Sequence, residues 1–200
     1  MKKTNYLEKI VVLVKDQGLD LSMENIAASI GVTKKTLYNQ FVSKELLIED
    51  CMKYMANELE NAVACMVDES IPSSEGFRMG IKNMKDKMFD ISHVFLRDLQ
   101  IVYPDKATRD HVIGSQLFEN MLRQNLKNGI ASGEYRYDIN PDRFAQFIMY
   151  SIFSYFKNHV MHDNDWATDE YFSLVTEYHL HALLRKEGNG PAAGKTKKDS

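Results

Sequence analysis

Residues 29–41 read SIGVTKKTLYNQF, and the fold turns on this stretch. A glycine and two β-branched residues interrupt one helical run and another begins at once, so Gly31-Val32-Thr33 reads as a tight turn between two short helices. In the second helix Leu37 and Phe41 repeat at a spacing of four and form one apolar stripe. Lys34, Lys35, Thr36, Tyr38, Asn39 and Gln40 cover the remaining surface with donors, acceptors and small apolar groups. Few of those side chains belong in a core, so the face they form is expected to point outward.

The flanking residues agree with that turn. Ser22 is placed to cap a helix over Met23 to Ile30, Thr33 to cap Lys34 to Gln40, and Ser43 to cap a longer helix running to about Val67, because each hydroxyl can accept from a free amide of the first turn. Glu45 falls in the first turn of that longer helix, where the dipole favours an acid. Upstream, Tyr6 to Gln17 carries Leu7, Ile10, Val11 and Val14 on one stripe and stops at Gly18. A covering helix, a short helix, a tight turn and a second short helix make a helix-turn-helix with a small core from Ile26, Ala27, Ile30, Val32, Leu37 and Phe41.

Helical periodicity continues along the chain and no sustained alternation appears, so the fold class is all-α with about nine helices. SIPSSEG at 70–76 marks a break, and further helices are expected near 74–91, 93–102, 105–131, 141–162 and 168–186. NGIASGEYRYDINP at 128–141 is a turn between two of them. The organisation read from this is a helix-turn-helix unit at 1–48, a larger helical unit at 49–187 and a disordered tail at 188–200.

Composition bounds the function. The 200 residues are 44% hydrophobic, enough to fill a core, and carry a net charge of −3, so any polyanion contact must come from a local patch. Residues 31–44 hold three lysines and no acid, a local charge of +3. No stretch approaches the roughly 18 apolar residues of a membrane span, and the expectation is a cytoplasmic protein. Cys51 and Cys65 fall about 21 Å apart along one predicted helix at ~1.5 Å per residue and cannot pair with each other.

A short basic helix of this kind is equipped for the major groove. Thr33 and Thr36 offer hydroxyls to phosphates and methyls to thymine, Lys34 and Lys35 reach guanine edges or phosphates, and Asn39 and Gln40 suit adenine edges or the backbone. Tyr38 adds a hydroxyl and an apolar ring, and Lys44 is placed to meet a phosphate beside free amides. Together with Ser22 these form the candidate DNA-binding set.

The same residues carry a resemblance to the TetR family of transcriptional regulators: Ser22, Ile26-Ala27, Gly31-Val32-Thr33, Thr36-Leu37-Tyr38, Phe41 and Lys44-Glu45-Leu46-Leu47 keep the register of its amino-terminal region. Lys35 stands where the family often has glycine and Gln40 where it commonly has histidine, departures that bear on the operator. The resemblance implies a sequence-specific regulator, a repressor released from a palindromic operator by a small molecule that moves the long helix. It also implies a homodimer through the helices near 141–162 and 168–186. Ten of the 21 aromatic residues lie between 141 and 184, so the first of those helices has no clean polar face and needs cover on more than one side.

Candidate lining for a ligand pocket is Met84, Met88, Phe89, Phe95, Tyr103, Phe118, Met121 and Phe147, with Arg97, Asp98, His93 and His111 as polar groups of the same region. His159 and His162, followed by Asp163 and Asp165, have some of the makings of a metal site, but no matching ligand cluster accompanies them and neither metal nor cofactor is expected. Alternatives are a DNA-binding regulator controlled by a protein partner and, against the absence of a phosphate-cradling loop or nucleophile motif, a helical enzyme.

Overall fold

The structure, a computed structural model, describes residues 2–103, 115–162 and 168–185. Nine α-helices stand among them: α1 (Lys2–Gln17), α2 (Met23–Ser29), α3 (Lys34–Tyr38), α4 (Lys44–Val63), α5 (Ser73–Phe89), α6 (His93–Val102), α7 (Ser115–Ala131), α8 (Pro141–His162) and α9 (Thr168–Leu183). Among the described residues the only extended pairing is an antiparallel bridge between Tyr135 and Leu184, so the all-α reading holds. The expected helix over 105–131 is described only from Ser115, and the tail at 188–200, His111, Asp163, Asp165 and Trp166 lie outside the described residues, as do the side chains of His159 and His162. No described helix is long and apolar enough to cross a membrane.

Several helix ends differ from expectation for local reasons. α3 stops at Tyr38 because the amides of Gln40 and Phe41 both turn back to the Leu37 carbonyl, at 2.9 Å each. The long helix keeps α geometry only to Val63 and tightens into a 3-10 turn at Ala64–Val67, where Asn83 Nδ2 donates to the Ala62 carbonyl at 2.7 Å. α5 has no side-chain cap of its own. The Glu134 carboxylate reaches it from the α7–α8 turn and accepts from the amides of Ser73 (2.7 Å) and Ser74 (3.1 Å), supplying acceptors for otherwise free donors.

The buried apolar residues form two clusters. One surrounds Phe77, Ile81, Phe118, Leu122, Leu126, Ile148, Ile152 and Phe172, which join α5, α7, α8 and α9. At its edge fully buried Asn125 donates to the carbonyls of Met66 (2.8 Å) and Ser73 (2.9 Å) and accepts from the Tyr135 hydroxyl at 3.1 Å. With all three bonds made, a buried amide is tolerated and fixes where the 3-10 turn meets α7.

The second cluster is the amino-terminal core: Ile10, Val14, Leu19, Ile26, Leu37, Phe41, Leu47, Cys51 and Met55. Phe95 and Leu99 of α6 belong to it too, both nearly inaccessible. The helix-turn-helix therefore borrows part of its core from a segment about fifty residues beyond the expected division at 48, and the first half of α4 packs with it as well.

Candidate nucleic-acid interface

Three hydroxyls fix the helix-turn-helix. Ser22 Oγ accepts from the Asn25 amide at 3.1 Å, Thr33 Oγ1 from the Thr36 amide at 3.1 Å, and Ser43 Oγ from the Leu46 amide at 3.2 Å. Each of the three cap residues has the extended backbone a cap requires. Gly31 sits at φ +75, in the left-handed region that ends α2, and the Val32 amide closes the turn on the Ala27 carbonyl at 2.9 Å.

With Leu37 and Phe41 buried, α3 has a single orientation. Lys34, Lys35, Tyr38 and Asn39 are exposed, and Thr36 and Gln40 are half-buried on the same short helix and the turn after it. Ser22 and Thr33 are exposed at their helix starts, and Lys44 is half-buried at the first position of α4. All nine candidate residues thus keep some solvent exposure in the amino-terminal unit. Thr33 and Thr36 also join their hydroxyls at 2.9 Å.

The electrostatics of this face differ from the count of three lysines. Lys34 Nζ is ion-paired with Glu24 of α2 and lies 5.7 Å from the centroid of the Tyr38 ring. That hydrogen bond holds the Glu24 carboxyl below its usual range and raises Lys34 above its own. The Lys35 side chain makes no hydrogen bond or ion pair among the described residues. Counting Glu24, the local charge of +3 becomes +2. Glu45 is likewise held low by its own backbone N–H and the Ser43 hydroxyl, with Lys44 adding a smaller contribution. Behind the face Lys3 pairs with Asp50 at 2.8 Å and sits 5.2 Å from the Phe41 ring centroid, pinning the start of α1 over the α3–α4 turn.

The eight candidate lining residues do not gather round one space. Met84 and Phe118 are buried in the larger core, with Met88, Phe89 and Met121 packed against it. Phe95 and Tyr103 belong to the amino-terminal cluster, and Phe147 is 59% exposed. A groove of about 620 Å³ instead lies between α1, α4 and the α5–α6 corner, lined by Lys15, Tyr54, Glu58, Lys87, Phe89 and Ile91 among others. Of the eight, only Phe89 borders it. Among the polar groups of that region Arg97 is exposed and Asp98 is buried at 5% exposure.

An exposed aromatic surface runs along α8 and α9, where Phe147, Tyr150 and Tyr178 are 59, 57 and 67% exposed. Under Phe147 lies buried His179, its Nδ1 on the Val175 carbonyl and its Nε2 without a partner. Burial pushes its pKa below the ordinary histidine value. Both cysteines are free, and burial pushes the Cys51 thiol up to about 12. No group of three or more potential metal ligands stands together among the described residues.

Glu24 and Lys3 are the participants that sequence reasoning missed, and Asp98, expected among the polar groups of a ligand region, instead accepts from backbone amides at the α1–α2 corner. Glu24 stands in the first turn of α2, where an acid already has a reason to be, and its meeting with a lysine ten residues on depends on the angle between two helices.

Residues 7–51 match the family model for bacterial regulatory proteins of the tetR family. No curated protein matches the chain. Among solved structures, the TetR-family regulator PfmR from Thermus thermophilus is 18% identical, with a TM-score of 0.63 over 90% of this chain and 99% of that one. A TetR-family regulator from Cytophaga hutchinsonii is 16% identical, with a TM-score of 0.71 over 93% and 96%. Another from Chloroflexus aurantiacus is 16% identical, with a TM-score of 0.71 over 92% and 99%. At such identities these likenesses concern the fold.

Proposed function

We propose, from the premise that the chain is a TetR-family regulator by its amino-terminal region and its fold, that it acts as a homodimeric repressor on a palindromic operator and is released by a small-molecule effector. The observation that carries the reading is the capped helix α3, held by Leu37 and Phe41 from behind and presenting Lys35, Tyr38 and Asn39 outward. Lys35 and Asn39 are assigned to base edges, Thr33 and Lys44 to phosphates. Lys34, Thr36, Tyr38, Gln40 and Ser22 complete the contact set.

One five-residue helix contacts too few bases for useful specificity, so two heads about 34 Å apart are required, facing an inverted repeat. The exposed aromatic surface of α8 and α9 supports a dimer formed there, because it leaves large apolar side chains uncovered on a single chain. An effector acts by favouring one spacing of the heads over another.

Fluorescence anisotropy on duplexes selected from a random pool tests the assignment. Lys44→Ala is expected to weaken binding to all sequences and to flatten its salt dependence, while Lys35→Ala and Asn39→Ala change the preferred bases. An unchanged preference in both variants refutes the choice of base readers.

A further inference from the structure

Asp98 is a charged side chain on a helix of the larger unit, yet it is buried against the amino-terminal one. Its Oδ2 accepts from the backbone amides of Leu19 at 2.9 Å and Asp20 at 3.2 Å, and its Oδ1 from Arg97 Nη2 at 3.2 Å. Charge-assisted bonds to two successive amides grip the chain where α1 hands over to α2. Gly18 makes the approach possible: it stands at φ +88, and a Cβ there would fall 2.3 Å from Asp98 Oδ2 and 2.6 Å from Val94 Cγ1.

Two further ties act at the same corner. The Ser92 amide donates to the Lys15 carbonyl at 2.9 Å. Lys15 Nζ, largely buried, pairs with Asp90 at 2.9 Å and Glu58 at 3.2 Å. Phe95 and Leu99, three residues before and one after Asp98, are set into the amino-terminal core. The α1–α2 corner is thus held on α6 by buried apolar groups and by the Asp98 carboxylate.

We propose that Asp98 is the positioning residue that fixes the DNA-reading unit on the larger helical unit, so that the heads of a dimer follow α6. The inference rests on the DNA-binding reading above. With that grip loosened and the apolar contacts kept, α3 still reads its half-site, but the angle of the head on the larger unit, and with it the distance to the second head, is no longer tightly defined. Asp98 therefore governs binding to two half-sites at fixed spacing and leaves binding to one half-site alone.

The test uses the full chain and Asp98→Asn, which keeps shape and loses charge, with thermal melting to verify folding. On a duplex holding both half-sites the affinity is expected to fall about ten- to hundredfold, and tolerance of a one-base-pair change in spacing to widen. On a duplex with one half-site it is expected to stay within about twofold. An equal loss on both duplexes, or no loss on either, overturns the proposal.

A second measurement needs no DNA. Nitroxides at Ser29→Cys and Gln124→Cys in a Cys65→Ser background, diluted with unlabelled chains, should give a narrow distance distribution that broadens with Asp98→Asn. An unchanged distribution overturns the positioning role even if DNA binding stands. A broadened one with no binding by the wild-type chain sinks the DNA reading and leaves the coupling of the two units in place.

Discussion

Replacing Glu24 with Gln should make DNA binding tighter and more sensitive to salt. In the wild-type chain the Lys34 ammonium is engaged by Glu24, while Lys35 has no such partner among the described residues. Removing the carboxylate releases one cation per head, hence two per dimer. Each added phosphate contact steepens the plot of log affinity against log salt by about 0.9, so the slope should change by about −1.8. Between 50 and 200 mM salt that corresponds to roughly a tenfold larger advantage for the variant at the lower concentration. Anisotropy titrations over a potassium chloride series read the slope directly. The double variant Glu24→Gln/Lys34→Ala should return it close to the wild-type value, because the released cation is then gone. A single variant with unchanged slope, or a double variant equally steep, refutes the pairing as the control on Lys34.

Other expectations concern the larger unit. His179 has a folded-state pKa below its unfolded value of 6.5, so the unfolded chain takes up the proton first as pH falls, and stability is lost below about pH 6.5. Thermal melts from pH 8 to pH 5 should show that decline, reduced in His179→Leu; an equal decline in both excludes this histidine as its source. Gly129→Ala should destabilise the protein, since the new Cβ would meet the buried Tyr135 ring at 2.1 Å and disturb its bond to Asn125. The overpacking penalty of roughly 1–3 kcal/mol exceeds the gain of about 1 kcal/mol from replacing glycine within a helix. Urea melts showing equal or greater stability contradict the tight approach of α7 and Tyr135.

The amino-terminal fold was largely legible because its signals are local. Ser22, Thr33 and Ser43 announce their helices through bonds that reach three residues ahead. Leu37 and Phe41 share a face by spacing alone. Phe95 and Leu99 show the limit of such reading: the same periodicity serves either core, and only the packing of α6 on α1 assigns them to the first. Phe147 is similar, since its place among aromatics gives no sign that it points outward. The anchoring role of Asp98, expected only as a polar group of a ligand region, was invisible for a different reason. Its partners are backbone amides 78 and 79 positions away, and amides leave no trace in residue identity.

The central claim is that α3 reads duplex DNA as one of a pair. Hydroxyl-radical footprinting of the full chain on duplexes selected from a random pool, with the mass of the complex measured in parallel, tests it most directly. The account predicts two symmetric protected patches centred about 34 Å apart, bound by two chains, with both patches lost together when Lys35→Ala and Asn39→Ala are combined. Protection without two-fold symmetry, one chain per site, or a footprint indifferent to that double substitution contradicts it.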